Sequence, residues 1–145
     1  HENHIESDPP TSQEVKQLRN IIESIYDENL FTVPPPKAPF TLIGLAGTVT
    51  TLCALDQQLA VYTSEKVHGA TLSRKNLERV LNQLKKKNIQ ERLEMPGMEP
   101  KRADVILAGG MILLVLMEKM KVDSLIVSDH GIRYGAFYDR FLANA

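Results

Sequence analysis

Apolar residues follow two different spacings along the chain, and the change from one spacing to the other predicts its secondary structure. In 12–27 and again in 77–84, the apolar residues lie three or four positions apart, which is the spacing of one face of a helix. Short, largely apolar runs at 40–43 and 124–127 are bounded by turn-forming residues and predict buried strands. Thr11 and Ser12, with Glu14 as the acid of a capping box, predict the start of the first of these helices, and Ser73 is predicted to cap the second. Helices and strands therefore alternate along the chain.

The longest uncharged apolar run, 105–117, predicts a helix that is covered on more than one side. We expect this helix to extend over about 100–120 and to be the longest of the chain. The run is too short to span a bilayer, which takes about 20 apolar residues. Gly109 and Gly110 would destabilise an exposed helix, so we expect them to allow the close approach of a neighbouring element.

One more strand and a last helix complete the expected fold. The strand is predicted at 67–72 and the helix at about 132–143. Strands that alternate with helices indicate an α/β fold with a parallel sheet, in which ligands bind at the carboxyl ends of strands. We expect a single domain over 1–145, with 1–10 as a lead-in. The last helix is predicted to bury Ile132, Ala136, Phe137 and Phe141.

Composition and charge limit the partners and the cellular compartment that we expect for this protein. The 145 residues carry a formal net charge of −1, which gives no support for binding to nucleic acid or to an anionic membrane surface. We do not expect the polar, acidic first residues to be a secretory signal peptide. Cys53, the single cysteine, excludes an intrachain disulfide, fits a reducing compartment and is expected to be a small buried residue. We therefore expect a cytoplasmic protein without nucleic-acid or membrane partners.

A glycine-rich stretch, 44–51, joins the first predicted strand to a helix and has the form of a phosphate site. Glycines let the backbone approach a ligand closely, and the free amides and the dipole of a helix start favour an anion. The stretch lacks the lysine of a Walker loop and the third glycine of the dinucleotide fingerprint. It is therefore either a phosphate or nucleotide site, or a tight strand-to-helix turn capped by Thr48.

A second unusual loop, 128–135, follows the other buried strand. Gly131 permits a sharp turn, and Asp129 either caps the last helix or holds a basic residue. Arg133 lies in the first turn of that helix, where a cation opposes the dipole, so it binds either an anionic ligand or a nearby carboxylate. His130 is either a proton shuttle or a solvated side chain.

Four short motifs occur in series along the chain, and the first and last of them include residues of the two loops. They are Gly47-Thr48-Val49-Thr50-Thr51-Leu52, Glu65-Lys66-Val67-His68-Gly69, Met95-Pro96-Gly97 with Pro100-Lys101-Arg102-Ala103-Asp104-Val105-Ile106-Leu107-Ala108-Gly109, and Ser128-Asp129-His130-Gly131-Ile132-Arg133-Tyr134-Gly135. Together they resemble the exopolyphosphatase / guanosine-pentaphosphate phosphatase (Ppx/GppA) family. Each motif is weak alone, whereas four in series are specific, and the resemblance covers about 7–141.

The resemblance implies an incomplete ribonuclease-H-like domain of the actin, heat-shock-protein and sugar-kinase superfamily, an α/β fold with a short, mostly parallel sheet flanked by helices. Family members hydrolyse the terminal phosphoanhydride of inorganic polyphosphate or guanosine pentaphosphate with Mg²⁺ and an attacking water. The family's first domain and the phosphate loop that opens its second domain have no counterpart in this sequence. We therefore expect a C-terminal part of the second domain, with the catalytic residues and the Mg²⁺ ligands outside this chain.

The residues that match the family motifs form part of a site. Gly47 and Thr48 match the Gly-Thr loop that lines the family's cleft, where its expected role is to cradle the substrate. Arg133 is our candidate to bind the polyanion, although a structural role is nearly as well supported. Asp129 and Gly131 match the same stretch and are supporting residues.

Two histidines receive no definite role from the resemblance. His68 belongs to a family motif to which we assign no chemistry, and a turn fixed by Gly69 is the simpler interpretation. His130 stands where the family often has arginine, so a cationic role is not carried over to it.

Three functions remain open at this point. The first is a part of a phosphatase that is inactive alone, and the second is a catalytically silent module that binds a nucleotide such as (p)ppGpp. The third is an interaction domain whose exposed sheet pairs with a partner chain. Because the resemblance leaves strands of the domain unaccounted for, we expect an exposed sheet edge and apolar surface, with homodimer formation or other self-association.

Overall fold

The computed structural model describes residues 5–29 and 39–142, and helices and strands alternate in them as predicted. Residues 1–4 of the predicted lead-in and residue 143 of the predicted last helix lie outside the described residues. The elements are α1 (Ser12–Asn29), β1 (Ile43–Leu45), α2 (Gly47–Asp56), α3 (Ser64–Val67), β2 (Thr71–Ser73), α4 (Arg74–Leu84), α5 (Ile89–Leu93), a 3₁₀ turn (Pro100–Arg102), α6 (Ile106–Lys119), β3 (Ser124–Ser128), α7 (Ile132–Phe137) and a π-helical turn (Tyr138–Leu142).

Two helices begin at the residues that the sequence predicts. At α1, the Glu14 carboxylate accepts the Thr11 amide at 2.7 Å, and the Thr11 hydroxyl accepts the Glu14 amide at 3.2 Å. At α4, the Ser73 hydroxyl accepts the Asn76 amide at 3.1 Å. Both caps satisfy amides that have no partner within the helix.

The sheet has three strands in the order β1-β3-β2, and helices flank it, which confirms the α/β class. β1 runs parallel to β3, with Ile43 opposite Ile126. β2 runs antiparallel to β3, so the sheet is mixed, whereas the sequence predicted a mostly parallel one. The reversal follows from the turn before β2, where Gly69 has a φ of 78°. The Gly69 amide donates to the Val127 carbonyl at 2.8 Å and so fixes this turn on β3.

Several predicted boundaries are wrong by a few residues. The first strand is β1 at Ile43–Leu45 rather than 40–43, and the strand predicted at 67–72 is reduced to β2 because α3 occupies its start. The helix predicted over 100–120 begins only at Ile106, so α1, with 18 residues, is longer than α6, with 14. Asp104 explains the late start, because its carboxylate accepts the Val105 amide at 2.9 Å and competes with the helix for it.

The core lies between the inner face of the sheet and four helices, α1, α2, α4 and α6. α6 packs against the other three and is buried on several sides, as predicted. A Cβ built on Gly110 would lie 2.5 Å from Leu81 Cδ2, and one on Gly109 would lie 2.7 Å from Thr48 Cγ2. Both glycines therefore allow α4 and α2 to approach α6 closely. Cys53 is fully buried, which confirms its expected place in the core.

The prediction that the last helix buries its apolar side chains is wrong for the described residues. Ile132 is 86% exposed, and Phe137 and Phe141 are more than half exposed. A depression of about 530 Å³ joins α7 to the outer face of the sheet at Leu45. We call this surface the apolar outer face, and it consists of Ile43, Leu45, Ile126, Ile132, Tyr134, Phe137, Tyr138 and Phe141. Among the described residues, no helix combines the length and apolarity that a membrane crossing requires.

Candidate functional site

A cleft of about 440 Å³ opens at the start of α2, directly after the carboxyl end of β1. One wall is the first turns of α2, and the opposite wall is the loop that ends in the 3₁₀ turn Pro100–Arg102, which we call the basic turn. The cleft is lined by Gly47, Thr50, Thr51, Leu59, Ala60, Tyr62, Gly97, Met98, Glu99, Lys101 and Arg102. Its position matches the general location of ligand sites in open α/β sheets.

The start of α2 is held in an unusual backbone conformation. Ala46 caps the helix with φ 74° and ψ 167°, a region that is populated almost only by glycine. Its carbonyl accepts the amides of Val49 at 3.1 Å and Thr50 at 3.3 Å. The amides of Gly47 and Thr48 come before these bonds and have no partner within the helix, so they can donate to an anion. Thr48 is thus the second residue of the helix, and the alternative that it caps a tight turn is wrong.

The basic turn places a guanidinium directly on the glycine of this helix start. A Cβ built on Gly47 would lie 2.1 Å from Arg102 Nη2, so the site requires glycine if Arg102 keeps its position. Arg102 Nη1 donates to Thr48 Oγ1 at 3.5 Å. Within 5–29 and 39–142, no carboxylate lies within 4.0 Å of the charged groups of Arg102 or its neighbour Lys101. Two cations without ion pairs therefore lie at one mouth of the cleft.

Gly97 brings the basic turn to α2. Its φ is 92°, and a Cβ on it would lie 2.4 Å from the Ala54 carbonyl. Only glycine combines this left-handed backbone with contact against the helix backbone. The contact explains how Thr48 and Arg102, which are 54 positions apart in sequence, meet at one cleft.

The second loop is connected to the cleft through Tyr62. The hydroxyls of Ser64 and Tyr62 donate hydrogen bonds to the Asp129 carboxylate and hold its pKa below the usual value. Tyr62 also hydrogen-bonds with Thr50 of α2, and burial together with Asp129 raises its pKa to about 12. Asp129 therefore joins the two loops, and among the described residues it neither caps α7 nor forms an ion pair with a basic side chain.

The two histidines of the motifs stack on each other beside this loop. The His68 and His130 ring centroids are 4.0 Å apart, and the His130 and Tyr134 centroids are 4.2 Å apart. His68 Nδ1 accepts the Asp129 amide at 3.3 Å, so His68 holds the position of the loop. Gly69 forms the turn that the sequence predicted.

Arg133 and Gly131 lie apart from the cleft lining. Arg133 is exposed on α7 and is not among the residues that line the cleft. Gly131 caps α7 with φ −79° and ψ −172°, an extended conformation that any residue adopts. The structure thus brings Gly47 and Thr48 together with Arg102 and leaves Arg133 exposed outside the lining of the cleft.

Sequence reasoning assigned no role to Arg102, Lys101 and Tyr62, which give the cleft its cations and its aromatic side chain. One signal was present, since a basic pair follows the Met-Pro-Gly turn within a recognised motif. The sequence does not indicate that this turn folds back onto Gly47.

The cleft residues do not fit a Mg²⁺ site on their own. Glu99 is the single carboxylate of the lining, and it lies beside Lys101 and Arg102. Mg²⁺ requires several oxygen ligands, and two cations at the same place disfavour it. No group of three or more histidine, cysteine or acidic side chains that could hold a metal occurs in the described part of the chain.

Comparisons with known proteins agree with the motifs. The model of the Ppx/GppA phosphatase family matches residues 1–144. The chain is 36% identical over 135 residues to exopolyphosphatase 2 of Mycobacterium tuberculosis, a match that covers 90% of this chain and 42% of that protein. It is 39% identical over 103 residues to a bifunctional 3-dehydroquinate synthase/phosphatase of Fusobacterium nucleatum. This match covers 71% of this chain and 15% of that protein.

A solved structure shows the same fold. The crystal structure of the Aquifex aeolicus Ppx/GppA family member superposes with a TM-score of 0.87 at 35% identity, over 99% of this chain and 45% of that one. The chain thus spans less than half the length of these relatives. The family match, the shared fold and the four motifs lead to one conclusion: the chain belongs to the Ppx/GppA phosphatase family.

Proposed function

We propose that this chain forms the anion-binding wall of the cleft in a phosphatase that hydrolyses the terminal phosphoanhydride of inorganic polyphosphate, guanosine pentaphosphate or both. The observation that carries the proposal is the unpaired Arg102 guanidinium on Gly47, beside the free amides at the start of α2. Two comparisons support this class of substrate: the chain belongs to the Ppx/GppA family, and its mycobacterial relative is named exopolyphosphatase 2.

The chemistry of the cleft favours a phosphate chain as the ligand. Charge-assisted hydrogen bonds contribute about 1.5–3 kcal/mol each, and Arg binds phosphate oxygens in a bidentate manner. Lys101 adds a second positive charge that can contact the next phosphate of a chain. Thr48 holds Arg102 against α2, so that Gly47 and Thr48 keep the cradle role that the resemblance implies.

Hydrolysis requires groups that this cleft does not provide in its lining. Phosphoryl transfer to water needs stabilisation of the charge on the departing phosphate and a group that orients the water. The basic turn and the α2 amides perform the first task. We propose that the water-activating group and the Mg²⁺ ligands lie in another part of a longer protein, so that this chain binds the substrate without turnover.

Titration calorimetry with inorganic tripolyphosphate tests the proposal directly. We expect Arg102→Ala to weaken binding at least tenfold, because a charged hydrogen-bond donor is lost. Arg74→Ala is the control, since Arg74 is a half-buried arginine that pairs with Asp123 and does not line the cleft, and it should change affinity less than twofold. Equal losses for both variants would indicate non-specific attraction and contradict the site.

A phosphate-release assay tests whether this chain binds the substrate without hydrolysing it. We expect no release from tripolyphosphate or guanosine pentaphosphate by the chain alone, with or without Mg²⁺. Clear turnover would show that the chain contains its own catalytic groups and would refute this part of the proposal.

A catalytically silent nucleotide-binding module is the second candidate, and Tyr62 favours it. This tyrosine lines the cleft and is 46% exposed, so its ring is available to stack on a base. Guanosine pentaphosphate would then bind more tightly than tripolyphosphate, and Tyr62→Leu would remove the difference. Equal affinity for the two ligands would favour the phosphate chain alone as the recognised group.

A further inference from the structure

Arg92 is a buried arginine that sits behind the basic turn. It is only 3% exposed, although arginine is rarely buried without a partner. Nε donates to the Leu84 carbonyl at 3.2 Å, and Nη1 donates to the Ala103 carbonyl at 3.2 Å. Burial lowers its pKa, but a guanidinium stays charged at neutral pH. Within 5–29 and 39–142, no carboxylate lies within 4.0 Å of it.

The two carbonyls that accept hydrogen bonds from Arg92 belong to two different elements, α4 and the basic turn. Leu84 is the last residue of α4, where the helix dipole is negative and the carbonyls lack intrahelical partners. Ala103 follows Arg102 directly and ends the basic turn. One planar, rigid group therefore connects the core helix α4 to the turn that carries the cleft cations.

The geometry points to Arg92 as a positioning residue for the anion site: it fixes the basic turn on α4 so that the Arg102 guanidinium lies on Gly47. This inference rests on the proposed function, in which Arg102 binds a phosphate chain. Arginine is required because its fork donates in two fixed directions at once, whereas a lysine ammonium is a compact charge on a flexible stem. A buried apolar side chain would stabilise the core without setting the position of Ala103.

The experiment compares Arg92→Lys with Arg79→Lys in the 145-residue chain. Arg79 is a matched control, because its Nη2 also donates to a helix-terminal carbonyl, that of Asp56 at 3.2 Å, yet it does not touch the basic turn. We expect Arg92→Lys to weaken tripolyphosphate binding five- to tenfold and Arg79→Lys to change it less than twofold. Arg92→Gln, which avoids a buried ammonium, serves if the lysine variant does not fold.

A double-mutant cycle separates positioning from mere stabilisation. If Arg92 acts through Arg102, then Arg92→Lys on the Arg102→Ala background should change affinity less than twofold, while its effect on melting temperature persists. A full five- to tenfold loss on that background would overturn the inference and leave the anion site intact.

An NMR measurement without ligand makes the test independent of the proposed function. The Arg102 Nε–Hε signal should shift in Arg92→Lys and stay in place in Arg79→Lys. If the wild-type chain binds no tripolyphosphate, the proposed function fails, and this signal still decides the positioning role. An unchanged Arg102 signal would refute it.

Discussion

Substitution of Gly47 by alanine should separate the binding of an anion from the stability of the fold. A Cβ at this position would lie 2.1 Å from Arg102 Nη2, 2.4 Å from Cζ and 2.5 Å from Nε. These atoms are the far end of a flexible side chain, so the guanidinium can move away without disturbing the core. The backbone at Gly47 is helical, and alanine fits it without strain.

We expect Gly47→Ala to preserve or increase the stability of the fold and to weaken the binding of an anion. Alanine restricts the unfolded chain and favours the helix, so the free energy of unfolding should stay the same or rise by up to about 1 kcal/mol. Displacing Arg102 removes its charged hydrogen bonds to the ligand, worth about 1.5–3 kcal/mol. At about 1.4 kcal/mol per tenfold, tripolyphosphate binding should weaken by roughly 10- to 100-fold.

Gly97→Ala is the contrasting variant for this assay. Its Cβ would lie 2.4 Å from backbone atoms of Ala54, which cannot move aside, and its φ of 92° adds strain. We expect a loss of at least about 2 kcal/mol in the free energy of unfolding, from overpacking and a left-handed backbone together. Thermal denaturation and calorimetric titration with tripolyphosphate measure both quantities for both variants. A stable Gly47→Ala protein that binds as tightly as wild type would refute the assignment of Arg102 to the site.

Two further predictions concern Tyr62 and the apolar outer face. Tyr62 titrates at about 12 in the folded chain and near 10.0 when unfolded, so its neutral form stabilises the fold below pH 10 and this contribution is lost as the pH rises towards 12. Denaturant unfolding should therefore show a steeper loss of stability over this range in wild type than in Tyr62→Phe, and identical slopes would contradict the raised pKa that burial and Asp129 give Tyr62. The chain alone should self-associate through the apolar outer face, because side chains such as Ile132 and Phe137 are exposed there. Sedimentation should show association that Ile132→Ser with Phe137→Ser abolishes, and a monomeric wild type at high concentration would refute this.

Local sequence patterns predicted the parts of the fold that local physics determines. The helical stripe of α1, its cap at Thr11 and the cap of α4 at Ser73 depend on neighbouring residues alone, and all three are confirmed. The two glycines of α6 also followed from a simple rule, since they would be costly in a helix without a close neighbour. The α/β class followed from the alternation of the elements.

Features that depend on distant contacts were not predictable in this way. The direction of β2 is decided by the turn at Gly69, which pairs with β3 much later in the chain. The apolar stripe of α7 shows which side chains share a face, but it does not indicate what covers that face, so the prediction that Ile132 is buried was wrong. Arg102 escaped notice for the same reason, because its role arises only when Gly97 brings the basic turn to α2.

Residues that contradict ordinary structural preferences, by a strained backbone or a buried charge, lie around the cleft. Their position supports the functional importance of the cleft. Three non-glycine residues of the described chain have positive φ, of which Gln58 and Lys121 follow helix ends, where such residues are common. Ala46 instead begins a helix, in a region that costs about 1–3 kcal/mol outside glycine.

The buried charge of Arg92 lies behind the same cleft and is another departure from local rules. A sequence optimised only for stability would have glycine at 46 and an apolar residue at 92. The strained alanine fixes the direction of the α2 amides, and the buried arginine fixes the turn that carries Arg102. Both departures therefore fit the proposed anion site, because they lie behind the two walls that would hold the ligand.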